Sequence, residues 1–233
     1  MKIVVLTGAG ISAESGLNTF RDAGGLWENH RIEDVATPRA FARNPSLVQN
    51  FYNARRKQLD DPSVAPNAAH FALVELEKAI GKDFLLVTQN VDDLHQRAGS
   101  ERMIAMHGEL RKCRCTACQK VSLVTAPLST ESVCKYCKHQ GTVRPHIVWF
   151  EEMPLQMQEI YHALENCDIF VSIGTSSNVY PAAGFVEVAN QANAETLELN
   201  LEPSSRYSAF KEHRQGPATQ LVPEWVESLL QQR

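Results

Sequence analysis

The chain has 233 residues, of which 43% are hydrophobic and 21% are charged, a composition typical of an ordinary globular protein with one or two domains. Its formal net charge of -4 gives no general attraction to nucleic acid or anionic lipid. No apolar run approaches the roughly 20 residues that span a bilayer. We therefore expect a cytoplasmic protein that requires neither nucleic acid nor a membrane.

Short apolar runs rich in β-branched residues recur along the chain and predict buried strands. The runs are KIVVLTG, which is too short for a signal peptide, and then FLLVTQN, RMIAMHG, HIVWF, IFVSIGT and TLELNL. Helical patterns lie between several of them, namely NPSLVQNFYNARRKQL, PNAAHFALVELEKAI, PLQMQEIYHALEN and PAAGFVEVANQAN. Strands that alternate with helices predict an α/β fold with a parallel sheet flanked by helices.

The first strand runs into a glycine turn. Gly8, Gly10 and Ala13 fit G-x-G-x-x-G/A, in which small residues let backbone amides at a helix N-terminus approach a pyrophosphate. A tight turn without a ligand explains the same residues. Because the chain continues as a polar loop, without the strand and acid of a Rossmann unit, the ribose partner must come from elsewhere. Asn200 and Glu202, at the end of LELNLE, are candidates.

The helix NPSLVQNFYNARRKQL places Phe51, Arg55 and Leu59 on one face and Tyr52 in the neighbouring row. The following helical pattern opens with a proline and closes with a glycine. Later, the strand in SIGTSSNVYP ends in glycine and hydroxyl residues, which suit phosphate or ribose contacts and equally suit an ordinary capped turn.

A cluster of cysteines follows RMIAMHG, where the alternation of strands and helices breaks down. Cys115-x-x-Cys118 and Cys134-x-x-Cys137 have the separation typical of zinc sites. Four thiolates complete a tetrahedral Zn²⁺ shell and leave no position for water, so we predict one structural Zn²⁺ that orders a small insertion domain. Redox-active or free cysteines are the alternative. Cys113 lies only two positions before Cys115, so either could be the first ligand. We assign Cys115, because with Cys118 it has the C-x-x-C spacing of a zinc knuckle.

Histidines are the remaining candidates for chemistry. His107 ends a predicted strand, where the carboxyl edge of a parallel sheet binds ligands, although a structural role also fits a lone histidine. His70 and His95 lie in helical patterns and are interpreted as packing or capping residues. His146 either lines a cleft or is structural, and Cys167 is interpreted as a packed core thiol.

Several motifs occur together in one order along nearly the whole chain: GAGISAESGLNTFR, TQNVDDLHQRAG, HGE, the paired C-x-x-C, GTS and NLE. In this combination the sequence closely resembles the sirtuins, which are NAD-dependent protein-lysine deacylases. The resemblance implies a sheet that binds NAD, a zinc module beside it, and an acyl-lysine peptide that enters the cleft between them. It also implies that His107 is the general base.

The resemblance assigns the other site residues by position. The implied NAD contacts are Gly8, Ala9, Gly10, Thr19, Phe20, Arg21 and Trp27 in the first loop, Gln89, Asn90, Val91 and Asp92 around the ribose and nicotinamide, Gly174, Thr175 and Ser176 at the phosphate and ribose, Asn200, Leu201 and Glu202 at the adenosine, and Ala218 at the adenine. The implied peptide contacts are Val148 and Phe150.

The chemistry that the resemblance implies needs a base of this kind. Cleavage of the nicotinamide–ribose bond leaves an electrophilic carbon, which the acyl oxygen of the modified lysine captures before a ribose hydroxyl attacks. An imidazole with a pKa of about 6.5 accepts the proton of that hydroxyl at neutral pH and contributes about 10² to 10⁴ in rate. The expected products are deacylated lysine, nicotinamide and O-acyl-ADP-ribose.

Tyr52 and Arg55 stand three residues apart on a helix face, and a Tyr-x-x-Arg pair here resembles the sirtuin branch that removes succinyl and malonyl groups. A guanidinium pairs well with a carboxylate, and such hydrogen bonds contribute about 1.5 to 3 kcal/mol each. We therefore expect desuccinylase and demalonylase activity beside deacetylase activity. A solvated RRK run bounded by Tyr52 is the alternative.

In VWFEEMP, Glu151 replaces the glycine of the family's Phe-Gly-Glu segment, so any freedom that the glycine gives is lost.

We predict a Rossmann-like NAD-binding domain from 1–30, 81–110 and 143–233, a helical insertion at 31–80 that carries the acyl-specificity pair, and a zinc-ribbon module at 111–142. Two other functions would use the same motifs: a protein ADP-ribosyltransferase, or a non-catalytic NAD-sensing zinc-ribbon adaptor. Detection of O-acyl-ADP-ribose distinguishes a deacylase from both.

Overall fold

The computed structural model describes residues 1–17, 26–27 and 30–232, with the backbone alone described at 26–27. The strands are β1 (Ile3–Thr7), β2 (Leu26–Trp27), β3 (His30–Arg31), β4 (Phe84–Thr88), β5 (Met103–Ala105), β6 (Gly108–Cys115), β7 (Val121–Leu123), β8 (Val143–Ile147), β9 (Ile169–Ile173), β10 (Glu195–Asn200) and β11 (Glu212–Gln215). The helices are α1 (Gly10–Ala13), α2 (Ile32–Val35), α3 (Pro38–Arg43), α4 (Pro45–Gln58), α5 (Ala68–Ile80), α6 (Leu94–Ala98), α7 (Met157–Leu164), α8 (Phe185–Gln191) and α9 (Ala218–Gln231). Within these ranges no helix has both the length and the apolar character needed to cross a bilayer.

A parallel sheet dominates the part of the chain that the structure describes. Its strand order is β11-β10-β9-β1-β4-β5. From β1 the chain adds β4 and β5 on one side, and it then crosses back to add β9, β10 and β11 on the other side. The two strands at this switch point, β1 and β9, are hydrogen-bonded neighbours. In open parallel sheets a switch point leaves a crevice beyond the carboxyl ends of its strands, where ligands bind.

The side chains of β1 show how the sequence builds the layers around this sheet. Ile3 and Val5 pack in the core that contains residues of α5 and α9, whereas Val4 and Leu6 pack in the core that contains residues of α7 and α8. All of them are buried because helices cover both faces of the sheet, and for that reason the strand reads as a continuous apolar run. The predicted α/β fold, with helices on both faces of a parallel sheet, is confirmed.

Local capping signals set the ends of α5. The Asn67 side chain accepts a hydrogen bond from the Ala69 N–H at 3.0 Å, and His70 Nδ1 accepts one from the Asn67 N–H at 3.3 Å. Together with the bond from the His70 backbone, these contacts form a capping box. Gly81 ends the helix with a φ of +68°. The interpretation of His70 as a packing or capping residue is confirmed.

The small sheet has a different construction from the large one. Its order is β7-β6-β8, and both pairings are antiparallel. The run HIVWF, predicted among the strands of a parallel sheet, lies across the end of β8 in this small sheet. Strand β8 pairs with β6 and not with a strand of the large sheet. The prediction was wrong because an apolar run does not encode which distant strand it pairs with.

The elements between the two sheets form a further core. Residues of α2, α3 and α4 pack there with Leu110, Ile147 and Trp149 from the region of the small sheet. Helix α5, which the predicted domain division assigns to the helical insertion, packs on the large sheet. The domain boundaries stay a prediction.

Helix α9 is absent from the predicted elements. Leu221, Val222, Trp225 and Val226 are buried along it at helical spacing. Pro223 lies inside the helix, and proline there lacks an N–H donor, so it obscures an otherwise regular helical pattern.

Candidate active site

Segments that follow the strands of the parallel sheet line one cavity of about 840 Å³. Parallel strands place all of their carboxyl ends at one edge of the sheet, so segments distant in sequence converge there. These segments are 8–10 after β1, 89–92 after β4, His107 after β5, 174–176 after β9, 199–202 at the end of β10 and 216–218 after β11. The volume lies within the range of about 300 to 1,000 Å³ that is usual for ligand sites.

The turns after β1 and β9 pack directly against each other. The Gly8 N–H donates to the Ile173 carbonyl at 3.0 Å, and the Gly10 N–H donates to the Gly174 carbonyl at 2.9 Å. A Cβ atom at Gly10 would lie 2.6 Å from the Gly174 Cα, and Gly174 has a φ of +61°, so neither position accommodates a side chain without strain. The glycines are therefore required for the close approach of two backbones. Helix α1 that follows has only four residues and is much shorter than a Rossmann helix.

Buried hydrogen bonds anchor the segment after β4. The Asn90 side chain donates to the Gly8 carbonyl at 3.0 Å and to the Ser12 hydroxyl at 3.2 Å. The Ser12 hydroxyl in turn donates to the Asp92 carboxylate at 3.1 Å. Burial raises the pKa of Asp92, while hydrogen bonds from the Leu94 N–H and Ser12 oppose that shift. Side chains from the first two motifs of the sequence therefore meet in one network.

Two neutral histidines lie beneath this network. The Thr7 hydroxyl donates to Thr88 Oγ1 at 2.9 Å, and His95 Nε2 lies 3.0 Å from Thr7 Oγ1. The rings of His95 and His70 are 4.8 Å apart between centroids. Burial lowers the pKa of His70 to about 4. Burial, together with repulsion from the protonated form of His70, lowers the pKa of His95 to about 3. The predicted packing role of His95 is confirmed.

His107 lines the cavity just beyond the end of β5. Its Nδ1 lies 3.0 Å from the Gln89 carbonyl oxygen. A carbonyl only accepts hydrogen bonds, so Nδ1 carries the proton and Nε2 of the neutral ring keeps a lone pair. Burial lowers the pKa of His107, and the bond to Gln89 partly offsets that effect. The ring is therefore neutral and able to accept a proton at pH 7.

Gly108 explains how the chain turns away after His107. Its φ is +85°, and a Cβ atom there would lie 2.0 Å from the carbonyl oxygen of His146. Only glycine permits this approach of β6 to β8. His146 itself lies on β8, in the small sheet.

Helix α4 contributes Tyr52 and Arg55 to the cavity wall. Tyr52 is fully buried, and its hydroxyl oxygen accepts a hydrogen bond from Trp149 Nε1 at 2.9 Å. Burial raises the pKa of Tyr52, so the phenol is neutral. The Arg55 guanidinium lies 5.1 Å from the centroid of the Phe51 ring. The predicted Tyr-x-x-Arg pair thus shares a cavity with His107 and the segments of the large sheet.

The segment after β8 supplies Val148, Phe150 and Glu151 to the same cavity. The Phe150 N–H donates to the Ala36 carbonyl at 3.0 Å. Glu151 has a φ of +76°, and its carboxylate accepts hydrogen bonds from Arg39 at 2.8 and 3.2 Å. Glu151 therefore keeps the left-handed backbone that glycine adopts without steric cost.

The paired C-x-x-C motifs come together in the small sheet and its loops. Their ligand atoms all lie within 4.8 Å of one another, and they belong to Cys115, Cys118, Cys134 and Cys137. The Sγ atoms of Cys115 and Cys137 are 3.6 Å apart, and those of Cys118 and Cys134 are 3.7 Å apart. Zinc–sulfur bonds of about 2.3 Å in a tetrahedron give sulfur separations of about 3.8 Å, so the cluster fits Zn²⁺. Cys113 instead contacts the Ser122 hydroxyl at 3.3 Å.

Every predicted cofactor-contact and substrate-contact side chain that the structure describes lines the cavity. Thr19, Phe20 and Arg21 lie outside the described residues, and Trp27 is described by its backbone alone. The binding roles of all these positions stay predictions. Sequence reasoning misses further residues of the cavity wall, which include Ser12, Glu14, Gln58, Trp149, Glu152 and Tyr180. Ser12 could have been found from its place inside the first motif, and Trp149 from its place in VWFEEMP between Val148 and Phe150.

An open parallel sheet with a cavity at its switch point is typical of nucleotide-binding α/β proteins. Residues 8–181 match the model of the Sir2 family. An NAD-dependent protein deacylase of Pasteurella multocida (strain Pm70) is 58% identical over 230 residues, which are 99% of this chain and 98% of that protein. One from Salmonella typhimurium is 58% identical over 98% of this chain and 84% of that protein. The chain therefore belongs to the Sir2 family.

Solved structures agree with this membership. A crystal structure of a Sir2 homologue in complex with NAD superposes with a TM-score of 0.88 at 36% identity, covering 99% of this chain and 90% of that one. A Sir2 homologue bound to a myristoylated histone peptide superposes with a TM-score of 0.74 at 31% identity, covering 100% of this chain and 93% of that one.

Proposed function

We propose that this protein is an NAD-dependent protein-lysine deacylase that removes succinyl, malonyl and acetyl groups from acylated proteins and transfers them to ADP-ribose. The observation that carries the proposal is the convergence of His107, the segments after β1, β4, β9 and β10, and the Tyr52–Arg55 pair on one cavity. Relatives that are 58% identical over nearly the whole chain are named NAD-dependent protein deacylases, which supports this activity.

The cavity fits NAD in size and in the chemistry of its wall. The packed glycine turns form a backbone surface with no side chains at Gly8, Gly10 and Gly174. The segments 174–176 and 200–202 would hold the phosphates and the adenosine, and 89–92 would hold the ribose and nicotinamide end. NAD would supply the ribose that accepts the acyl group, with nicotinamide as the leaving group.

His107 would act as the general base. Its Nδ1–H is held by the Gln89 carbonyl, so Nε2 is the atom that accepts a proton from a ribose hydroxyl. Burial lowers the pKa of the ring and keeps this nitrogen unprotonated at pH 7. A base placed in this way typically contributes about 10² to 10⁴ in rate.

The Tyr52–Arg55 pair would select acidic acyl groups. The guanidinium would bind the terminal carboxylate of succinyl-lysine or malonyl-lysine, and the phenol would donate a second hydrogen bond. An acetyl group is too short and has no carboxylate, so it would be removed without this contribution. The four-cysteine cluster would hold a structural Zn²⁺, and its four thiolates would leave no position for catalysis at the metal.

Mass spectrometry of matched succinyl-lysine and acetyl-lysine peptides, with and without NAD, tests the proposal. We expect wild type to remove both groups only with NAD and to release O-acyl-ADP-ribose. His107→Ala should lose at least 100-fold in rate on both peptides. Arg55→Met should lose about tenfold or more on the succinyl peptide and keep acetyl activity, because it removes only the carboxylate partner.

Lys57→Met is the matched control for Arg55→Met, because it removes a cation from an exposed position on the same helix. Its succinyl and acetyl rates should equal those of wild type. Release of nicotinamide without deacylation would favour ADP-ribosyl transfer instead. Equal succinyl rates for Arg55→Met and Lys57→Met would contradict the acyl preference while leaving the deacylase activity intact. A cytoplasmic location stays a prediction, which cell fractionation tests.

A further inference from the structure

We infer that Trp149 is a positioning residue for acyl selection, which acts by fixing the hydroxyl group of Tyr52. The inference rests on the proposed deacylase function and adds to it a residue outside the Tyr-x-x-Arg motif. Trp149 follows β8, whereas Tyr52 lies on α4, so the two residues are 97 positions apart in sequence.

The contact between the two side chains is a buried hydrogen bond. The indole Nε1–H of Trp149 donates to the Tyr52 hydroxyl oxygen at 2.9 Å, and the exposed fractions of the two residues are 3% and 0%. Indole can only donate, so the phenol oxygen must accept and its own hydrogen remains a donor. A hydroxyl that accepts one hydrogen bond becomes a stronger donor in the next. Trp149 therefore sets both the position of the hydroxyl and its polarity.

The indole ring is itself held from several sides. The Arg144 guanidinium lies 3.3 Å from the ring centroid, and the Phe41 ring packs at 5.3 Å between centroids. The Glu152 carboxylate accepts hydrogen bonds from Arg144 at 2.7 and 3.0 Å and from the Trp149 backbone N–H at 2.9 Å. Glu152 thus holds the Trp149 backbone directly and its indole through Arg144.

The chain of contacts runs from the small sheet to the acyl-specificity helix. Arg144 lies on β8, and Arg114, which also binds Glu152 at 2.8 Å, lies on β6. A carboxylate on the acyl group gains from a fixed hydroxyl donor, whereas an acetyl group does not reach it. The arrangement should therefore affect the preference for acidic acyl groups more than the deacylation chemistry.

The test compares kcat/KM on the succinyl and acetyl peptides for wild type, Trp149→Phe, Tyr52→Phe and the double variant. Trp149→Phe keeps an aromatic ring and removes the N–H. We expect it to lower the succinyl-to-acetyl ratio about fivefold, which is the effect of one neutral hydrogen bond. In the Tyr52→Phe background the same change should have no further effect on the ratio, because the acceptor is gone.

Trp225→Phe is the matched control, since it also removes an indole N–H, but from α9 in the core against the large sheet and not from the cavity wall; its ratio should equal that of wild type. If Trp149→Phe does not fold with bound zinc, Arg144→Lys replaces it, because lysine keeps the charge and loses the planar stacking. Arg144→Lys should lower the ratio at least twofold.

The outcomes separate the two proposals. An unchanged ratio in folded Trp149→Phe, together with a lowered ratio in Tyr52→Phe, overturns the inference and leaves the proposed function standing. An additive effect in the double variant also overturns it, because Trp149 would then act independently of Tyr52. A wild type that deacetylates with NAD but shows no succinyl activity removes the acyl preference, and the inference fails with it.

Discussion

His70 and His95 are buried beneath the cavity and remain neutral because burial imposes a cost for desolvating an imidazolium. The pKa of His70 is lowered to about 4, well under its value in an unfolded chain, which is about 6.5. Between these two pH values the unfolded chain binds a proton at this position and the folded chain does not. Stability must therefore fall as pH falls through this window.

His70→Gln tests this linkage. Glutamine at the third position of a helix can complete a capping box, so the substitution keeps the cap of α5 and removes the titration. Between pH 7.5 and pH 5, the free energy of unfolding of the wild type should fall by about 2 kcal/mol because of His70. The variant should lack this part of the decrease. Urea unfolding at both pH values measures the difference. An identical loss in both proteins would show that His70 is not responsible.

At the scale of elements, the segment after β8 is held by hydrogen bonds to neighbouring elements and contains one residue with a strained backbone, Glu151. Its backbone is tied to Ala36 through Phe150, and Arg39 from α3 binds the Glu151 carboxylate. The left-handed conformation at Glu151, with φ +76°, is disfavoured by steric contact between Cβ and the following carbonyl. The cost is retained because the surrounding contacts determine the path of the chain.

A pair of substitutions isolates this strain from the Arg39 contact. Glu151→Gly and Glu151→Ala both remove the carboxylate and differ only in the Cβ atom. We expect the glycine variant to be more stable by about 1 kcal/mol, measured by urea unfolding. At Glu165, where φ is -67°, the same pair should show the opposite order, because glycine is penalised in helical backbone. The same order at both positions would rule out strain at Glu151.

At the scale of the whole molecule, the four-cysteine cluster and helix α4 are physically coupled. Asn53 of α4 donates to the Leu128 carbonyl at 2.7 Å and accepts from the Leu128 N–H at 2.9 Å. Gln49 of the same helix donates to the Val143 carbonyl at 2.8 Å. Leu128 and Val143 belong to the core that packs with the cysteines. Metal that orders this core also supports the helix that carries Tyr52.

Loss of zinc should therefore loosen the small sheet and α4 before the large sheet. We expect Cys134→Ser to lose bound zinc, because a structural site contributes on the order of 10 kcal/mol and needs all of its ligands. Cys113→Ser should keep one zinc per chain, because this sulfur lies outside the cluster. Metal analysis and hydrogen exchange measure both effects. Faster exchange in β1 than in β6 after zinc loss would contradict the expected order.

The sequence alone determined the features that depend on local chemistry. The strand runs, the glycine that ends α5, the glycine turn and the cluster of four cysteines are read from neighbouring residues, because propensity, capping and ligand spacing act over short distances. The sequence motifs also predicted most of the segments that line the cavity. Their joint position at one sheet edge follows from the parallel topology that the alternation of strands and helices predicts.

Only the tertiary structure decided which distant elements meet. The pairing of β8 with β6 depends on contacts that periodicity does not encode, and α9 becomes evident only in the structure because Pro223 obscures its helical pattern. The same holds for the Glu151 backbone and for the hydrogen bond from Trp149 to Tyr52. Long-range packing selects these contacts because it lowers the free energy of the whole chain, so no short window of sequence contains the information.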